Sequence, residues 1–291
     1  MKFKYTYLLL ASCLFISCGK DTTQNKNYLS DISIDNNKLS CDGIIMENHT
    51  GIINKSEFTY GEKINLFYDN MTGFSLQDSL AYPDMDIFVM NKKGDTIFSQ
   101  KDLLKNTTEG FTEEKLNLTS NLTFALPMLP KKSYLMNFHI TDKHGDGYFN
   151  LKKNFSIIEN PLLKTETNGF TYDILYLYSQ SRNIAVVDNK IKPEENIYIL
   201  LENLEGYEID ENGKVDLNAS ISLVSSNGTV INKQENLFPT PVSAKDLKDQ
   251  LYATLSISKG YVKNPVTCIF EVMDNKSKHS IKTTFDLIVE E

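Results

Sequence analysis

"FTYGEKINLFYDNMTGF" (58–74) and "IKPEENIYILLENLEGY" (191–207) are two versions of one segment. They superpose without gaps: Glu62 falls on Glu195, Ile64 on Ile197, Leu66 on Ile199, Gly73 on Gly206 and Phe74 on Tyr207. The correspondence continues on the C-terminal side. With one residue inserted, "DIFVMNKKGDTIF" (86–98) matches "SISLVSSNGTVIN" (220–232), with Gly94 on Gly228. "MNFHITD" (136–142) matches "CIFEVMD" (268–274), and "FSII" (155–158) matches "FDLI" (285–288). Apolar positions, turn glycines and their order all coincide. The chain therefore carries one domain twice, over 41–160 and 161–291.

Inside each copy the apolar period is two. Tyr134, Met136, Phe138 and Ile140 alternate with Leu135, Asn137, His139 and Thr141, as a strand with one buried face requires. Turn signals, "NKKGD", "KHGDG", "ENGK" and "SSNGT", separate the runs. Helix is confined to a turn or two in "FTEEKL" and "SAKDLKDQL", with Thr112 and Ser243 as N-caps. About seven short strands per copy predict an all-β chain of two antiparallel sandwiches of immunoglobulin type. "YLMNFHITDKHGDG" (134–147) resembles the penultimate strand and last hairpin of bacterial Ig-like modules. The antibody-type cysteine pair and core Trp are missing, and the chain has no Trp at all.

The start, "MKFKYTYLLLASCLFISCGK" (1–20), has the layout of a secretory signal: Lys2 and Lys4, a short apolar run, then small Ser17 before Cys18. That run is too short to span roughly 30 Å of hydrocarbon. "LFISC" resembles a bacterial lipobox, with Phe15 where Leu or Val is usual. The resemblance, to outer-membrane lipoproteins of the Bacteroidetes type, implies a signal peptide over 1–17 and a lipid on Cys18. It also implies an outer-membrane location, with Gly19 next to the cysteine and the leaflet open. The polar, Asn-rich residues after Cys18 read as a flexible tether, so 18–40 forms the lipidated Cys and its leash, about 25 Å long as a coil. "DTT", "DSL" and "DTI" resemble the Asp-Ser/Thr-apolar sites O-glycosylated in Bacteroidetes, which implies Thr22, Ser79 and Thr96 as carriers.

Removing Lys2 and Lys4 with the signal leaves 28 basic against 38 acidic residues, a net charge of −10. An acidic chain without a basic stripe gains nothing from counterion release, which excludes nucleic acid as a partner. "TDKHGDGYFN" (141–150) has the outline of a calcium loop, and Asp142 and Asp146 are the one weak metal candidate. Counted from Asp142, however, position 3 is His144 and position 12 is Lys153, where a bidentate Glu belongs. A hairpin turn using positive φ at Gly145 and Gly147 explains the residues better. No cofactor is expected. The four histidines are scattered, and G-x-S-x-G, H-E-x-x-H and phosphate-loop motifs are missing, so the chain reads as not an enzyme.

Cys41 and Cys268 read as one free thiol and one buried small hydrophobe rather than a bridge. "FTYDILYLYSQ" (170–180) places Phe170, Tyr172, Ile174, Tyr176 and Tyr178 on one strand face, opposite Leu175 and Leu177. Tyr172, Tyr176 and Tyr178 are the candidate binding residues, able to anchor a protein or stack on sugar rings. The functional expectation is a non-catalytic envelope lipoprotein, a tandem Ig-like binding module for an envelope or extracellular protein. The alternatives are a glycan-binding accessory lipoprotein of polysaccharide uptake and, behind it, a hydrolase using paired carboxylates.

Overall fold

The computed structural model describes residues 26–27, 29–107, 109–114, 116–260 and 263–290. The signal peptide, Cys18 and Thr22 lie outside the described residues. The principal strands of the first copy are β1 (Ile32–Asn37), β2 (Gly43–Asn48), β3 (Lys63–Asp69), β4 (Pro83–Asn91), β5 (Thr96–Gln100), β6 (Leu118–Thr123), β7 (Lys132–Asp142) and β8 (Tyr148–Ile158). Those of the second are β9 (Lys164–Asn168), β10 (Ile174–Ser179), β11 (Ile197–Glu202), β12 (Leu217–Ser225), β13 (Val230–Gln234), β14 (Leu251–Leu255), β15 (Val266–Asp274) and β16 (Ser280–Val289). Each strand of the first set has its counterpart eight places on.

The pairing is duplicated too. One sheet of the first copy runs β1-β8-β7-β4-β5, with Glu57–Thr59 beside β8 in parallel; the facing sheet runs β2-β3-β6. The second copy repeats this as β9-β16-β15-β12-β13, with Lys190–Ile191 parallel to β16, and as β10-β11-β14. Each copy is an Ig-like sandwich with its own core. Along β7 the buried apolar residues are those the alternation marked, Tyr134, Met136, Phe138 and Ile140, and Phe270 fills the position equivalent to Phe138. Phe58 stacks on Phe124 at 4.1 Å, with Phe155 at 5.0 Å from Phe124. Burying each such ring contributes about 2–3 kcal/mol.

Four expectations are corrected. The segment read as a tether is, from Leu29 onward, part of the first sandwich. Residues Ile32–Asn37 pair antiparallel with β8, and Leu29 and Leu39 are buried in the first core. Backbone pairing captures this stretch despite its polar side chains, since only Ile32 and Ile34 alternate toward the interior. "FTEEKL" is not helical where described: Phe111–Thr112 pairs with Leu80–Ala81. The one helix of the described residues, α1 (Ala244–Asp249), starts at Ser243, whose side chain makes no capping hydrogen bond. Finally, Met136 faces Lys153 while Cys268 faces Phe285, so the equivalent of Phe155 is Leu287 rather than Phe285. "FSII" and "FDLI" are thus two residues out of register. Lys153 occupies a core position that holds a phenylalanine in the other copy, and its ammonium donates to the Ser30 carbonyl at 2.8 Å. Burial pulls its pKa down, against the nearby Asp31 carboxylate, which raises it.

Among the described residues no helix is long and apolar enough to cross a membrane.

Candidate functional site

The buried carboxylates form two duplicated ties. Glu62 Oε2 accepts from the Thr59 N–H at 3.0 Å and from Lys55 at 2.9 Å, and Asn48 donates to Oε1 at 2.7 Å. In the second copy Glu195 Oε2 accepts from the Lys192 N–H at 2.6 Å, while Arg182 Nε and the Ser179 hydroxyl donate to Oε1, the former at 2.6 Å. Burial alone would raise the Glu195 carboxyl, but these donors hold it below the usual carboxylate range. Each glutamate closes a turn and ties it to the first strand of the small sheet.

The second tie joins the last hairpin to the segment after β3 or β11. Asp142 Oδ2 accepts from the Ser75 N–H at 2.7 Å and Oδ1 from the His144 N–H at 3.0 Å. Asp274 likewise accepts from Glu208 N–H and the Ser277 hydroxyl, each at 2.7 Å, and from Lys276 N–H at 3.0 Å. These donors outweigh burial and hold Asp274 low. Next to it, Gly73 (φ +95°) and Gly206 (φ +97°) are obligatory: a Cβ would lie 2.1 Å from the Lys38 carbonyl oxygen and 2.3 Å from that of Gly169.

The "KHGDG" loop is the β7–β8 hairpin turn. Asp142 is spent on backbone N–H groups, and Asp146 is exposed and paired with Lys38. The reason for its glycines differs from the sequence reading, since neither has a left-handed φ. A Cβ on Gly145 would meet Ser75 Oγ at 2.2 Å, and one on Gly147 would press on Leu39 at 3.1 Å. Close approach, not backbone conformation, is what favours glycine here: a side chain at either position would force these neighbouring side chains to shift. Ser79 and Thr96 are both exposed, Ser79 in a tight turn with Asp78 where both residues have positive φ, and Thr96 at the start of β5.

Both described cysteines are free, without a bridge between them, and both are buried. Burial, with the Asp42 and Asp69 carboxylates, pushes Cys41 up to about 12, and burial alone raises Cys268 further. Neither forms a thiolate near neutral pH. In native protein, Ellman's reagent should therefore modify neither thiol of purified residues 19–291 within minutes, and both after denaturation. Rapid native labelling of one equivalent would show that Cys41 is reachable.

The tyrosine strand does not form one open face. Phe170 is in the second core, and Ile174 packs with the first. Tyr176 turns toward the first sandwich, its ring 5.2 Å from Tyr60 edge to face and its hydroxyl donating to Glu202 at 3.2 Å. Burial and Glu202 push Tyr60 up to about 12 and Tyr176 higher still. The same junction contains a His49–Asp188 contact at 3.3 Å and the Asn160 amide donating to the Val186 carbonyl at 3.1 Å. Tyr172 is half-buried, raised to about 12 by burial and Glu159. Tyr178 remains on the outer face, its hydroxyl donating to Asn183.

Sequence reasoning missed two members of that face. Strand register places Tyr178 opposite Tyr198, Tyr198 opposite Thr254, and Leu200 opposite Tyr252. Tyr198 and Tyr252 meet edge to face at 5.8 Å, and Tyr252 is 57% exposed. The equivalent positions in the first copy are Glu47, Asn65 and Asn121, with Thr119 at the site of Tyr252. The signal was available: "NIYILLE" and "LYATL" alternate around Tyr198 and Tyr252 just as "ILYLYS" does around Tyr176 and Tyr178.

No family model matches the chain, and no curated protein matches it. Among solved structures it is similar to the C-terminal domain of wzt, at 8% identity over 44% of this chain and 79% of that one, TM-score 0.34. It is similar also to a DUF3823 family protein from Bacteroides ovatus, at 10% identity over 75% and 94%, TM-score 0.25. Fibronectin(III)-like modules of Clostridium thermocellum CbhA match at 11% identity over 84% and 94%, TM-score 0.21. These are likenesses of outline; the fold assignment rests on the strand pairing.

Proposed function

We propose that the chain is a non-catalytic envelope lipoprotein, attached to the outer membrane through a lipid on Cys18, whose tandem Ig-like sandwiches bind an envelope or extracellular protein. One observation carries the reading. Where the first copy presents Glu47, Asn65, Asn121 and Thr119, the second presents Tyr178, Tyr198, Thr254 and Tyr252 on the same scaffold. Tyrosine combines a large apolar area with a polar tip and few rotatable bonds, the properties of binding anchors. The buried acids support the non-catalytic part, since Glu62, Glu195, Asp142 and Asp274 are all committed to structural hydrogen bonds. The same rings favour a second reading, a glycan-binding accessory lipoprotein, because an aromatic face also packs against the C–H face of a sugar.

Tyr178→Ala with Tyr252→Ala tests this. Both residues sit on the solvent side of their strands, so the melting temperature should stay within a few degrees of wild type. Retention of an envelope protein on immobilised residues 19–291 should fall by about 30-fold or more, as loss of two-kcal/mol anchors implies. Equal capture by the variant would reject the protein reading of this face. A glycan-array signal that disappears in the same variant would select the second.

A further inference from the structure

We infer that the outer face of the β9-β16-β15-β12-β13 sheet is a separate groove for a neutral oligosaccharide. Two hollows of about 610 and 410 Å³ lie side by side there and share Glu271 in their walls. Both are open to solvent along one side, as a site for an extended chain must be. The first opens because β12 is stripped of bulk. Ser220 and Ser222 face Glu271 and Ile269, whereas the equivalent pairs in the first sandwich are Asp86 with His139 and Phe88 with Asn137.

The lining specifies the chemistry. Its lysines are already neutralised, Lys282 by Glu271 at 2.8 Å and Lys233 by Glu235 at 2.5 Å. With Glu166 added, three carboxylates face two ammoniums, so a polyanion gains nothing here. Asn218, Asn236, Ser220 and Ser222 offer both donors and acceptors, which suits hydroxyl groups that are themselves both. Met273 supplies an apolar patch in the second hollow for the C–H face of a ring. A chain of uncharged sugars satisfies all three features. This groove is on the opposite sheet from the tyrosine face and does not depend on it.

The experiment is titration calorimetry on purified residues 19–291 with maltohexaose, cellohexaose, xylohexaose, mannohexaose and, as an acidic control, polygalacturonate. At least one neutral hexaose should bind. Ser222→Phe restores the bulk that the first sandwich tolerates at Phe88, so the variant should keep its circular dichroism while weakening that sugar about tenfold or more, or 1.4 kcal/mol. No binding by any neutral hexaose overturns the inference, as does polygalacturonate binding equally well. Binding unchanged by Ser222→Phe but lost with Tyr178→Ala and Tyr252→Ala would place the sugar on the tyrosine face. That outcome overturns the groove and leaves the proposed function standing.

Discussion

Glu195→Ala will destabilise the second sandwich by about 3–5 kcal/mol, the cost of breaking a buried ion pair by removing one partner. The carboxylate is almost wholly enclosed, and its loss strands three donors at once: Arg182 Nε, the Lys192 N–H and the Ser179 hydroxyl. Arg182 keeps partial access to water, which places the value toward the lower end. Glu195→Gln preserves the shape and most of the hydrogen bonds, and should cost only about 1–2 kcal/mol. Urea unfolding followed by hydrogen exchange in β10 and β11 separates this from events in the first sandwich. A loss below 1 kcal/mol for the alanine variant would show that the tie is decorative.

Acid should weaken the same sandwich. Glu195 and Asp274 both have carboxyls held below their ordinary values of 4.5 and 3.8 in the folded state. A depressed carboxyl contributes its full stabilisation above the unfolded value and loses it as pH falls toward the folded one, because the unfolded chain takes up protons first. The urea midpoint for β10, β11 and β15 should hold steady from pH 7 to about 5 and then fall steeply below about 4.5. Asp274→Asn should flatten part of that slope while lowering stability at pH 7, since the Glu208 and Lys276 N–H groups and the Ser277 hydroxyl lose their charged acceptor. A midpoint independent of pH between 5 and 3 would contradict the assignment.

Duplication and sheet class were legible because period-two burial and turn glycines are local properties. What escaped depended on neighbours. A strand shifted by one residue turns its apolar set outward, but a shift of two leaves the pattern intact, so "FSII" and "FDLI" could be aligned wrongly without any visible conflict. Strand β1 was hidden because an edge strand needs backbone partners more than apolar side chains, and "ISIDNN" offers only two half-buried isoleucines. Tyr176 alternates correctly with Leu175 and Leu177, yet nothing along its own strand reveals that Tyr60 of the other sandwich covers it. The matched acids, Glu62 with Glu195 and Asp142 with Asp274, were in the alignment from the start. An acid kept at the same place in two otherwise divergent copies was the readable sign of a structural hydrogen bond.

The parallel pairing of Lys26 with Gly43 and Asn27 with Ile44 has an orientational consequence. Gly43 lies beside Asp69 and the β7–β8 turn side of its sandwich, whereas Asn48, at the far end of β2, adjoins His49 and its contact with Asp188. Lys26 thus lies at the pole of the first sandwich opposite its contacts with the second copy. Seven residues separate Cys18 from Lys26, a reach of at most about 29 Å at full stretch. If Cys18 carries the proposed lipid, the first sandwich stands within that distance of the headgroups. On that proposal the tyrosine-bearing copy is the one held farther from the anchor.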